Sequence, residues 1–193
     1  CMLAEGETRT LALAFDGKAF FANDHELKPG ATIDNLIAGT TLTKANVAAI
    51  IAQMMSYVGE DGRSLRITPN LLVVPPALED AGRAIVGSNL IATVFGSNTA
   101  AAGVDNTMRG RLELKVYPEL AAAAGGADDA FYVMDTTRSA KPIVMVERKA
   151  PAMTFKGKPE DDNVFWDDEL VMGVRARGVA GYGPFWLAAK CNA

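Results

Sequence analysis

Apolar and polar positions alternate along this chain in patterns that predict both helix and strand. Val47, Ile50, Ile51, Met54 and Val58 recur at i, i+3, i+4, i+7 spacing, the single stripe of an amphipathic helix. Thr43 stands where an N-cap hydroxyl would accept an orphan amide, and Gly59-Glu60-Asp61-Gly62 closes the pattern. Leu71-Leu72-Val73-Val74, bounded by Pro69-Asn70 and Pro75-Pro76, predicts a short strand buried on both faces. Pro76 suits the first turn of a following helix, with Leu78, Ala81, Ile85 and Val86 as its buried face. Residues 87–108 are small and polar and read as a long flexible loop.

Beyond that loop the period changes to two. Leu112, Leu114 and Val116 alternate with Arg111, Glu113 and Lys115, which predicts a half-buried strand. Residues 121–130 read as another loop, and Phe131–Met134 and Ile143–Val146 as strands. Glu169 to Arg177 places Leu170, Met172, Val174 and Ala176 on one face, a further long strand. Gly178 to Pro184 predicts a turn, and Phe185–Ala188 a last strand. At the other end, residues 16–40 are rich in turn formers, with Phe20 and Phe21 anchoring the loop to a core. There are no repeats and no heptads.

Composition narrows the function classes. The chain has 193 residues and a net charge of −4, which argues against nucleic acid held across its whole surface. A local basic patch stays open. Cys1 and Cys191, at opposite ends, fit neither zinc spacing nor a disulfide framework, and point to a reducing compartment. No apolar run approaches the roughly 20 residues needed to cross a bilayer. The opening at Cys1, with 9–15 resembling the end of an element, reads as a fragment of a longer protein, with a processed terminus or a cloning remnant as the alternative.

The candidate chemistry is thin. His25, the one histidine, has no nucleophile beside it to activate, and reads as a loop residue that packs or caps a turn. Asp161, Asp162, Asp167, Asp168 and Glu169 have oxygen ligands for a cation but not EF-hand spacing, and a solvated loop or a surface for a basic partner is the preferred reading. Gly178-Val179-Ala180-Gly181-Tyr182-Gly183 loosely suggests a phosphate loop. Pro184 and an aromatic run follow it, though, where a helix should open. Arg138, Lys141, Arg148 and Lys149 form a modest basic stretch that could face nucleic acid, an acidic neighbour or solvent. No catalytic residue, cofactor site or metal site is expected.

Five segments, in order, carry a resemblance: DGKAFFANDH (16–25), ITPNLLVVPPALEDAGRAIV (67–86), MRGRLELKV (108–116), FYVMDTTRSAKPIVMVERK (131–149) and DDNVFWDDELVMGVRARGVAGYG (161–183). Each is similar to a segment of the major head subunits of Mu-like tailed phages. The resemblance implies an α+β chain with the tailed-phage major capsid fold shared with encapsulins. Residues 1–40 would be a peripheral-lobe remnant and connecting loop, 41–137 the axial lobe, 138–182 peripheral-lobe strands and 183–193 the return strand of the axial lobe. The N-terminal arm, the extended loop and most of the spine helix of that family have no counterpart in these residues.

The resemblance further implies a structural protein that assembles with copies of itself into hexamers and pentamers of an icosahedral shell. Its other partners would be scaffold and portal proteins and, non-specifically, packaged DNA, with no membrane. Its location would be the virion, and the host cytoplasm during assembly. Loop character and exposure pattern single out Asn98, Asn106, Arg109, Arg111, Arg148 and Lys149 as candidate subunit contacts. Two alternatives come from the same residues: an encapsulin-type compartment shell, and a small α/β nucleotide-binding enzyme using the Gly178–Gly183 turn. A long strand where a helix should follow that turn would rule out the second.

Overall fold

The computed structural model of the chain describes residues 2–5, 13–28, 31–94, 101–158, 166 and 169–192. They fall into two compact units, one spanning 1–142 with 182–193 and the other spanning 143–181. In chain order the first unit carries α1 (Met2–Glu5), β1 (His25–Lys28), β2 (Ala31–Ile33), β3 (Leu36–Ile37), α2 (Lys44–Ser56), β4 (Leu71–Val74), α3 (Glu79–Gly87), β5 (Leu90–Val94), β6 (Ala101–Asp105), β7 (Glu113–Val116) and β8 (Phe131–Met134). The second unit is built on β9 (Ile143–Lys156) and β10 (Val171–Tyr182), and β11 (Ala188–Cys191) completes the first. The mixture of separate helices and a mixed sheet is the α+β class expected from the sequence.

The core of the first unit is a five-stranded sheet in the order β3-β11-β8-β4-β7. β11 runs parallel to β3 and antiparallel to β8; β4 runs antiparallel to β8 and parallel to β7. All four residues of β8 are buried, as are Leu72, Val73 and Val74 of β4. These two apolar runs occupy the interior of the sheet, where both faces are covered. Parallel neighbours need a crossover, and α3 lies in the connection from β4 to β7. A β-carbon added at Gly82 would sit 2.9 Å from Leu114 Cδ1 and 3.7 Å from Val74 Cγ2, so the glycine lets helix and sheet approach closely.

α2 forms as its pattern predicts. Thr43 Oγ1 accepts the Asn46 amide at 3.2 Å, and Val47, Ile50, Ile51 and Met54 are buried. Each buried side chain of this size contributes about 2 kcal/mol relative to exposure. Val58 does not join the stripe: the helix ends at Ser56, and Val58, exposed, bridges to Ser64 across the Gly59–Gly62 turn. After Pro75 the chain first makes a 3-10 turn (Pro76–Leu78) and then α3, whose buried residues are Gly82 and Ile85. Leu78, Ala81 and Val86 are only half-buried.

Four other expectations change. The stretch read as a loop over 87–108 holds an antiparallel hairpin, with Leu90 opposite Asp105 and Val94 opposite Ala101. Its small residues hide the alternation, while ladder hydrogen bonds need no particular side chain. The strand predicted for 143–146 runs on through Lys156, and β10 absorbs Gly178–Gly181, leaving only Gly183 and Pro184 outside regular structure before the next element. Phe185–Leu187 form a 3-10 turn, and the strand follows them instead of including them. Phe20 and Phe21 are buried as expected.

Candidate assembly surfaces

The turn-rich segment before β1 is fastened by polar groups as well as by its two phenylalanines. His25 is fully buried, with Nδ1 2.6 Å from Asp16 Oδ2 and Nε2 3.2 Å from the Phe20 carbonyl. Burial pushes the Asp16 carboxyl up, but the His25 hydrogen bond and the Lys18 amide outweigh it and hold the carboxyl below its ordinary range. Asn35, also buried, donates from Nδ2 to the Phe20 and Phe185 carbonyls and accepts the Ala22 amide on Oδ1. His25, expected to pack or to cap a turn, takes a packed, hydrogen-bonded core position, and its hydrogen-bond partners are Asp16 and the Phe20 carbonyl.

Asp135, at the end of β8, is a second buried polar node. Its carboxylate accepts the amides of Thr68 and Thr137, each at 2.9 Å, and the Thr137 hydroxyl at 2.6 Å. Burial raises its pKa, but these hydrogen bonds and the nearby Arg138 guanidinium bring it below the usual carboxylate range. These nodes explain stability.

The expected contact residues separate into different settings. Asn98 lies outside the described residues. Asn106 is buried: its Nδ2 donates to the carbonyls of Ile85 at 2.7 Å and Ser88 at 2.9 Å, and its Oδ1 accepts the Met108 amide. It ties the end of α3 to the turn after β6. Arg109 and Arg111 are exposed on that turn, and the Arg111 guanidinium lies 3.6 Å from Met55 Sδ. Arg148 and Lys149 are exposed on β9 in the second unit. The structure brings two further cations to them: Arg148, Lys149, Arg175 and Arg177 together line a cavity of about 330 Å³. Arg175 and Arg177 were legible as the polar positions between Val174, Ala176 and Gly178, but nothing local joined them to β9.

Among its described residues the second unit is a two-stranded ribbon whose side chains are almost all exposed. Met145, Val146, Met153, Phe155, Leu170, Met172, Val174 and Val179 are all exposed. An isolated two-stranded ribbon is marginally stable at best, so these side chains form a surface suited to being covered.

The glycine-rich phosphate-loop reading is overturned. Gly178–Gly181 lie within β10, and a 3-10 turn, not a helix N-terminus, follows Pro184. Among the described residues there is no group of three or more acidic, histidine or cysteine side chains placed to hold a metal. Of the acidic cluster, Asp161, Asp162, Asp167 and Asp168 lie outside the described residues. No helix among the described residues is long and apolar enough to cross a membrane.

Comparison with known proteins gives these surfaces a context. The family model of the Mu-like prophage major head subunit gpT matches residues 35–120 and 119–193. The chain is similar to the major capsid protein of Escherichia phage Mu, 41% identical over 59 residues, covering 31% of this chain and 19% of that protein. It is also similar to the Mu-like prophage FluMu major head subunit of Haemophilus influenzae, 32% identical over 141 residues, covering 62% of this chain and 44% of that protein. The match thus spans less than half the length of either relative. A solved procapsid of bacteriophage JBD30 aligns over 76% of this chain and 38% of its own at 26% identity, with a TM-score of 0.31 that carries no structural argument. With its family model matched over most of its length, the chain belongs to the Mu-like prophage major head subunit family.

Proposed function

We propose that this chain is the self-associating core of a phage or prophage head subunit with the tailed-phage major capsid fold. Copies pack around five- and six-fold axes, and a closed shell encloses DNA non-specifically. Scaffold and portal proteins are its assembly partners, and the virion, after assembly in the host cytoplasm, is its destination. Residues 41–137 are the axial lobe and 183–193 its return strand, residues 1–40 are a peripheral-lobe remnant and connecting loop, and 138–182, with β9 and β10, supply the peripheral-lobe strands. The role is structural, without catalysis.

The observation that carries this reading is the family match across residues 35–193. The ribbon supports it physically, because a sheet with so many large apolar side chains exposed gains stability only when another surface covers it. The buried polar nodes at His25 and Asp135 serve the fold and leave the surface free for packing.

The test is negative-stain microscopy of the full-length subunit expressed with its neighbouring scaffold gene. Closed shells, or rings of five or six, are expected. Monodisperse monomers at every salt concentration with scaffold present would overturn the reading.

A further inference from the structure

The residues of the second unit carry six cations and seven carboxylates, so it is nearly neutral, but four of the six cations stand apart from most of the carboxylates. Arg148, Lys149, Arg175 and Arg177 converge on the one cavity of about 330 Å³. Six of the seven carboxylates (Glu160, Asp161, Asp162, Asp167, Asp168 and Glu169) fall instead in the connection between β9 and β10. Lys149 stands seven residues before the end of β9, about 23 Å along a strand at roughly 3.3 Å per residue. On the other strand Arg175 stands four residues after the start of β10, about 13 Å, so the cluster lies along the ribbon from both points where the acidic connection joins it. Among the described residues, no carboxylate lies within ion-pairing distance of the four cations.

Like charges gathered this closely repel one another unless an anion sits among them. Arginine is the cation best shaped to take carboxylates in pairs. We propose that the Arg148–Lys149–Arg175–Arg177 cluster is a docking site for the acidic 160–169 segment of a second copy of this chain. Such a contact joins two different patches, so it is heterologous, and repeated copies propagate it into a ring or an open array. The inference rests on the self-association proposed above and names one contact within it. Charge complementarity within a single sequence favours this occupant over nucleic acid, which the overall −4 charge disfavours as a general ligand.

The test uses a peptide of residues 157–170 and a host chain whose own segment is neutralised by Asp161→Asn, Asp162→Asn, Asp167→Asn and Asp168→Asn. Fluorescence anisotropy at low salt is expected to show saturable binding, weakened at least tenfold when Arg175→Glu and Arg177→Glu are added to the host. A peptide with the four aspartates replaced by lysine is expected to bind that reversed host and not the parent, which also shows that the reversed host is folded. Equal binding of the native peptide to both hosts would overturn the proposal. So would tighter binding of a 30-base-pair DNA duplex than of the peptide at the same ionic strength, which would assign the cluster to nucleic acid. Because isolated chains are measured, this outcome is read separately from any failure of full-length subunits to form shells.

Discussion

The imidazole of His25 lies flat on the ring of Phe185, with centroids 3.9 Å apart and planes 6° from parallel. The two residues are far apart in sequence, so this stack fastens the turn-rich segment before β1 to the chain's return into the sheet. Phe185 is also held through its backbone, where Asn35 Nδ2 donates to its carbonyl at 3.1 Å. His25→Ala removes the stack and leaves the Asp16 carboxylate with the Lys18 amide but without its imidazole partner. A loss of about 3 kcal/mol is expected, from the cavity and the unpaired charge together. Urea unfolding of the variant checks it; a change under about 0.5 kcal/mol, the scale of an ordinary surface substitution, would show that the stack is incidental.

Acid should weaken the first unit through two carboxylates. Asp16 and Asp135 both ionise below the usual 3.8 in the folded chain. A depressed folded pKa adds stability that is complete above the unfolded value and drains away as pH falls through the folded one. The urea midpoint is therefore expected to hold from neutral pH to about pH 5 and to drop as pH falls below about 4. Asp135→Asn should lower the plateau and flatten the acid limb. An unchanged acid limb in that variant would show that other carboxylates dominate the loss.

Two glycines should respond in opposite ways to alanine. A β-carbon at Gly126 would lie 2.0 Å from the Leu120 carbonyl oxygen, a backbone atom that cannot step aside without moving the 3-10 turn at Pro118–Leu120. Gly126→Ala is expected to cost about 2 kcal/mol or more, in the range of an overpacked site. Gly87, the last residue of α3, has nothing within 4 Å of the same added atom. Gly87→Ala is expected to be neutral or to stabilise by up to about 1 kcal/mol through helix propensity. Thermal melts of the pair decide it.

The Cys191 thiol should be chemically silent in the folded chain. It is buried in β11, and burial, with the Asp34 carboxylate adding to it, pushes its pKa up to about 12. Little thiolate is then present at pH 8, and the thiolate is the reactive form. In a Cys1→Ser variant, labelling by an aromatic disulfide at pH 8 is expected to be slow in buffer and complete within minutes in 6 M guanidinium. Rapid labelling in buffer would mean that β11 opens readily from the sheet edge it shares with β3.

Local pattern alone was enough for α2, β4, β7 and β8. A stripe at helical spacing with a threonine cap, or a continuous or alternating apolar run bounded by proline and asparagine, expresses its preference within a few residues. It was not enough for β5 and β6, because alanine, glycine and asparagine carry little strand signal. It also stopped β9 ten residues short, where charged and small residues interrupt the apolar run. The ordered family resemblance was legible for the same reason that α2 was: the apolar and turn residues stand in the chain itself. Tertiary structure alone decided what distant residues do together. It set the sheet order β3-β11-β8-β4-β7, buried Asn106 where exposure had been expected, placed Gly82 against Leu114, and stacked His25 on Phe185. It also brought Arg175 and Arg177 beside Arg148 and Lys149. The physical reason is range: secondary-structure preference is written in neighbours three or four residues apart, whereas strand pairing, close approach and charge convergence depend on residues that meet only after the chain has folded.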